Sequence, residues 1–128
     1  MAERINRTAS AQGKASRDKG KRFEREIANF FKSYGITARR TAQFCGKTGQ
    51  AGDVEGVPGV HVECKAVEKL NLEVAYQQSV RDAEAADKGE YPIVIHKRSR
   101  RPAMVTMALE DWIVMYLAWM RGDRGDDE

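Results

Sequence analysis

Cysteine is scarce in this chain of 128 residues, and long apolar runs are absent. The only two cysteines, Cys45 and Cys64, form no CxxC pair, which argues against a zinc cluster or a disulfide framework and makes a reducing cytoplasm the default compartment. The longest apolar run, WIVMYLAWM at 112–120, is too short for a bilayer, which needs roughly 20 residues. No membrane role is expected. The first twenty residues are polar and basic, unlike a signal peptide. Net charge of one sign is also lacking: the formal balance is only +3, with 32% charged and 41% hydrophobic residues. That is the composition of one modest globular domain.

The distribution of charge is uneven. Arg4, Arg7, Lys14, Arg17, Lys19, Lys21 and Arg22 crowd the beginning, and Asp123, Asp126, Asp127 and Glu128 the end. A basic segment suits an anionic partner such as nucleic acid. Residues 1–18 show no sustained period and read as a flexible basic arm, 19–121 as the folded domain, and 122–128 as an acidic tail. Within the domain, Phe23, Ile27, Phe30, Phe31 and Tyr34 recur at helical spacing and Gly35 follows as a stop. ITARRT reads as a short strand, AQFCGKTGQAG as a glycine-rich loop, and 53–57 and 60–67 as two strands. Asn71 is a suitable N-cap for a second helix with a small-residue face at Ala75, Ser79 and Ala83. YPIVIHK and AMVTM follow as strands, and LEDWIVMYLAWM as the last helix. The order is αβββαββα, an α/β domain with a central mixed sheet flanked by helices.

The chemistry lies in GDVEGVPGVHVECKAV, residues 52–67. Alternation along a strand puts Val60, Val62, Cys64 and Ala66 on one face and His61, Glu63 and Lys65 on the other. Two carboxylates and a lysine are what metal-assisted phosphodiester hydrolysis requires. Asp53 and Glu63 can supply oxygen ligands to Mg²⁺, with Mn²⁺ as a substitute, and Lys65 can orient or deprotonate a water or offset charge on the phosphate. Whether Asp53 joins them depends on the turn. A three-residue loop, Val57-Pro58-Gly59, pairs 53 with 63 and puts both carboxylates on one face; a two-residue Pro-Gly turn pairs 53 with 64. Turn chemistry alone slightly favours the second. Arg39, Arg40, Lys47 and Arg98 sit in loops or at strand ends, where phosphate contacts are common. The apolar segment 112–120, with Trp112, Met115, Tyr116 and Trp119, offers more large surface than a small sheet covers and suggests a homodimer interface.

The ordered set of a helix bearing KGKRFEREIANFF, an isolated Asp53 and the strand Glu63-Cys64-Lys65 resembles the PD-(D/E)xK nuclease superfamily. Within it, the chain resembles archaeal Holliday junction resolvases and small resolvase-like endonucleases of bacteriophages, over about Lys19 to Trp112. Gly52 stands where the superfamily name has its proline. The resemblance favours the register that pairs 53 with 63, and implies a restriction-endonuclease-like fold. It also implies Glu24 as a further acid of the metal site acting through water, a metal contact from the Cys64 backbone carbonyl, Arg25 as a phosphate contact and Gln78 as a substrate-positioning residue. The expected function is a Mg²⁺-dependent DNA endonuclease, structure-selective on branched DNA, acting as a homodimer in a bacterial or phage-infected cell. The alternatives are a nickase, exonuclease or sequence-specific endonuclease on the same fold, or a non-catalytic DNA-binding accessory protein.

Overall fold

The computed structural model describes residues 2–42 and 52–126, with side chains described for 11–42 and 52–122. Helix α1 (Ala2–Lys32) leads into β1 (Arg39–Arg40), β2 (Val54–Glu55) and β3 (Val60–Ala66). Helix α2 (Leu72–Ala86), β4 (Tyr91–Lys97), β5 (Met104–Thr106) and α3 (Leu109–Asp126) complete the chain. The αβββαββα order is the expected one. The five strands form one mixed sheet in the order β1-β2-β3-β4-β5, antiparallel except for the parallel pair β3 and β4. Helix α2 is the crossover that a parallel pair requires.

Each face of β3 is covered by a helix. Phe23, Ile27 and Ala28 of α1 are buried with Val54, Val62, Cys64, Ile93 and Ile95. On the α2 side only small residues, Ala75, Ser79 and Ala83, are buried. Their size permits close approach, and the Ser79 hydroxyl donates to the Ile93 carbonyl at 3.1 Å, so the one polar group there is satisfied. Asn71 caps α2 as its position suggests, its side chain accepting from the Val74 N–H at 3.2 Å. Val62 and Val94 are fully buried, and each removes apolar area from water that stabilises the fold by roughly 1.5–3 kcal/mol.

Three expectations need correction. The segment expected to be an irregular arm is helical from Ala2, continuous with the packed part of α1. Once Phe23 and Ile27 fix a helical nucleus, extension through Ala, Gln, Arg, Lys and Glu is favourable, and Gly13 and Gly20 subtract only about 1 kcal/mol each. Likewise α3 continues to Asp126, so most of the segment expected as an acidic tail is helical in its backbone. In α1 the apolar stripe is narrower than its spacing implied. Phe30 and Tyr34 are exposed and pack on each other, centroids 5.2 Å apart, while Ala28 takes a core position.

Two glycines hold the strands at their approach. Gly56 has φ 87°, and a Cβ there would collide with the Thr37 carbonyl. Gly52 passes so close to β3 that a Cβ would lie 2.6 Å from the Val62 carbonyl oxygen and 3.0 Å from its nitrogen. This contact explains why glycine occupies the position of the superfamily's proline. Gly52→Ala is expected to lower stability by about 1–3 kcal/mol, the usual cost of overpacking against backbone. A denaturant midpoint unchanged from wild type would show that the β2–β3 approach is not needed.

Candidate active site

Val54 pairs with Val62, the register of the three-residue Val57-Pro58-Gly59 loop, so one step back along β2 brings Asp53 to the level of Glu63. Regular β2–β3 pairing ends there. The Asp53 N–H donates to the Val62 carbonyl at 2.7 Å, and the Asp53 carboxylate then accepts the Cys64 N–H at 2.8 Å. A side chain thus takes the place of the next strand carbonyl, and Asp53 is fixed beside β3. Within one strand residue, the N–H and C=O point to the same side. The Cys64 carbonyl is therefore directed to the Asp53 side of β3.

The surrounding charges converge on the same place. Burial foremost, and then the neighbouring Glu63 charge, raise the Asp53 pKa to about 6 against the opposing Cys64 N–H and Lys65 charge. Glu24 of α1 is also raised, first by burial and then by the Asp53 charge, with Arg40 and Lys21 acting in the other direction. The Cys64 thiol is pushed well above its usual range by burial and by Asp53, Glu24 and Glu63, so it stays protonated and inert. Glu24, Glu63 and Lys65 thus each lie near enough to Asp53, where β2 leaves β3, for their charges to interact with it.

Glu63 is only 4% exposed and His61 2%. The His61 Nε2 lies 3.3 Å from the Glu63 Oε1. Asp82 of α2 completes a group in which one ligand atom from each of His61, Glu63 and Asp82 lies within 4.8 Å of the others. Glu63 thus belongs to two donor sets. The set with Asp53 is all oxygen and suits a hard divalent ion, whereas the imidazole in the other suits transition metals. An excess of carboxylates over cations in a half-buried site, with one acid already driven toward protonation, is the environment a divalent cation neutralises. Asp82 is a residue that sequence reading did not single out. Its signal was available, one helical turn beyond Gln78 and next to the buried Ala83.

The cationic residues divide into three groups. Arg40 Nε donates to Glu24 Oε1 at 2.8 Å and Arg39 Nε to Glu55 Oε1 at 2.8 Å, so both hold acids of the protein itself. Arg25 is exposed on α1, and Arg98 lines an open hollow of about 340 Å³ at the end of β4. Lys47 lies outside the described residues. Gln78 is half-buried on α2. His96, paired with Lys65 across the parallel strands, sits 2.8 Å from the Thr106 hydroxyl, with its pKa lowered by burial.

A helix acid, an aspartate at the end of a short strand, and Glu-x-Lys on the next strand are the arrangement of the PD-(D/E)xK nucleases. The chain belongs to a phage family of that class: residues 15–121 match the family described as "Phage putative PDDEXK endonuclease". No curated protein sequence matches the chain significantly. Among solved structures it is similar to Archaeoglobus fulgidus Hjc, a Holliday junction resolvase from an archaeal hyperthermophile. That similarity has a TM-score of 0.51 at 23% identity and covers 69% of this chain and 76% of the other. The fold is restriction-endonuclease-like, a five-stranded mixed sheet with three helices.

The Asp53 environment has a measurable consequence. A carboxyl whose pKa is 3.8 in the open chain and about 6 when folded binds its proton more tightly in the folded state. Stability is therefore highest below about pH 4 for this group and falls as pH rises through about 6. In metal-free buffer, Asp53→Asn is expected to flatten this decline and to raise stability at pH 7.5 by on the order of 2–3 kcal/mol. Urea unfolding from pH 4.5 to 7.5 measures it; parallel curves for the two proteins would refute the assigned environment.

Proposed function

We propose that this protein is a Mg²⁺-dependent DNA endonuclease that cuts branched duplexes as a homodimer in the phage-infected bacterial cell, where recombination intermediates supply such substrates. The observation that supports the reading is the Asp53 carboxylate held on the Cys64 N–H, with the charges of Glu24, Glu63 and Lys65 close enough to act on it. Asp53 and Glu63 would hold the ion, with the Cys64 carbonyl on the same side and Glu24 acting through water. A bound divalent ion supplies an activated water and neutralises charge on the attacked phosphate.

The remaining chemistry belongs to the chain. Lys65, the next outward residue on the Glu63 face, orients the attacking water or takes its proton and offers positive charge to the phosphate oxygens. Arg40 holds Glu24 in place through its 2.8 Å bond and leaves the second carboxylate oxygen for the site. Helix α2 is the crossover of a parallel βαβ unit and runs against β3, which sets Gln78 further toward Lys65 than Asp82 and suits a substrate-positioning role. Arg25 and Arg98 are exposed to meet the phosphate backbone, and Lys47 is assigned the same role. In-line attack leaves a 5′-phosphate and a 3′-hydroxyl.

The dimer rests on α3. Trp112, Ile113, Val114, Met115, Leu117 and Trp119 are all exposed, Trp119 by 58%, and Trp112 stacks on Tyr116 with centroids 5.0 Å apart. Met104 and Val105 of β5 extend this surface. A helix with apolar residues on every side calls for a covering partner, and a second copy provides one while placing two sites on one particle. The solved structure similar in fold is named as a Holliday junction resolvase, which makes the four-way junction the first substrate to test.

With Mg²⁺, wild-type protein should cut a four-way junction in preference to forked, single-stranded and linear DNA. Asp53→Asn and Glu63→Gln should each reduce cleavage by at least about 10³-fold while junction binding is retained, and Lys65→Ala should impair turnover similarly. Wild-type rates in any of the three would overturn the assignment, and equal cutting of all four DNAs would replace junction selectivity by a general nuclease. Trp119→Glu is expected to convert the dimer to monomers in light scattering at micromolar concentration; a monomeric wild type would remove the paired-site argument.

A further inference from the structure

The parallel strands β3 and β4 end side by side, at Ala66 and Lys97, and the loops that follow leave the sheet together. Carboxyl ends of parallel strands are where open sheets bind ligands. Here the two loops are tied by one residue. Glu68 Oε2 accepts the Ser99 backbone N–H at 2.8 Å and the Ser99 hydroxyl at 2.8 Å, with Lys19 Nζ of α1 at 3.6 Å. These donors lower the Glu68 pKa, Ser99 foremost, so the carboxylate is held ionised. Around it, Lys19, Arg22, Lys97, Arg98, Ser99 and Arg100 line the hollow of about 340 Å³.

A backbone N–H, a hydroxyl and an ammonium converging on one anionic oxygen are the donors that proteins present to a phosphate oxygen. Glu68 is exposed, and so is the Lys19 side chain, so removing the carboxylate would leave no desolvated group behind. Four further cations, Arg22, Lys97, Arg98 and Arg100, line the hollow, more positive charge than one carboxylate requires. Glu68 lies three residues beyond Lys65, within about 10 Å of chain. A strand whose phosphate meets Lys65 therefore passes the cradle.

We infer that Lys19 and the Ser99 N–H and hydroxyl form a binding site for a DNA backbone phosphate, occupied in the DNA-free protein by the Glu68 carboxylate, which the phosphate displaces. This rests on the DNA-cleaving reading above and adds to it a subsite with a built-in competitor. A phosphate must exchange with Glu68 rather than simply add, so this contact contributes less to affinity than an open cationic site. Weak lattice-like binding to any passing duplex is thereby suppressed, and the exchange favours DNA already held through other contacts.

The test is binding of a four-way junction and a linear duplex, across a salt series without Mg²⁺, by wild type and the variants Glu68→Gln, Glu26→Gln, Ser99→Ala and Glu68→Gln/Ser99→Ala. Glu26 lines the same hollow but makes no bond to Ser99, so Glu26→Gln reports the general effect of removing one negative charge. Glu68→Gln should tighten binding several-fold more than Glu26→Gln and steepen the slope of log affinity against log salt by about one. Adding Ser99→Ala should erase that excess, whereas Ser99→Ala alone should change little. Equal gains from Glu68→Gln and Glu26→Gln, or a gain that survives loss of the Ser99 hydroxyl, would overturn the subsite while leaving the nuclease reading intact. Failure of the wild type and all variants to bind either DNA would overturn both.

Discussion

The acceptance of the Cys64 N–H by the Asp53 carboxylate, at 2.8 Å, is the contact on which the candidate site depends. It does two things at once. It satisfies a strand donor at the point where β2 has turned away, a group that would otherwise be unpaired near the core at a cost of about 1–3 kcal/mol. It also fixes one carboxylate beside Glu63, where two negative charges in a half-buried place repel. The fold tolerates that repulsion because the Val54–Val62 pairing, the Gly52 approach and the α1 core all hold β2 against β3 independently of it. The site is thus a local conflict supported by consistent packing around it, the pattern expected where function and stability pull apart.

Much of this was legible in the sequence, because the signals were local. Alternation placed Glu63 and Lys65 on one strand face, Asn71 announced α2, and the small residues Ala75, Ser79 and Ala83 announced its close packing. The register was not legible from turn chemistry, since Pro58-Gly59 favours a two-residue turn. Beside the observed Val54–Val62 register, Gly56 comes close to the Thr37 carbonyl, a contact between distant residues that no local pattern contains. The helical state of residues 2–18 was missed for the opposite reason. Apolar periodicity detects packed helices, and this part of α1 is helical by propensity and continuity with the packed turns.

Pairings among charged side chains were the least legible. Arg39 and Arg40, adjacent on β1, separate to opposite partners, Glu55 and Glu24, because successive strand residues point to opposite faces. Arg40 thereby becomes part of the acid cluster, a role invisible until α1 is laid across the sheet. The same is true of Asp82, which reaches His61 and Glu63 only because the crossover helix brings α2 back over β3.

These pairings suggest how a chain with a formal charge of only +3 can engage a polyanion. Several of its cations are bound to its own carboxylates, as in Arg40–Glu24, Arg39–Glu55 and Lys19–Glu68. The first is partly buried and orients a site acid; the second is exposed and contributes little to stability. The third is also exposed, but its carboxylate sits on hydrogen-bond donors that a phosphate oxygen can use equally well. Exchange of one anion for another keeps each donor partnered and returns the displaced carboxylate to solvent, while adding less affinity than an open cationic site. Net charge therefore understates the positive surface available to DNA, because part of it is covered by acids that a nucleic-acid backbone can replace.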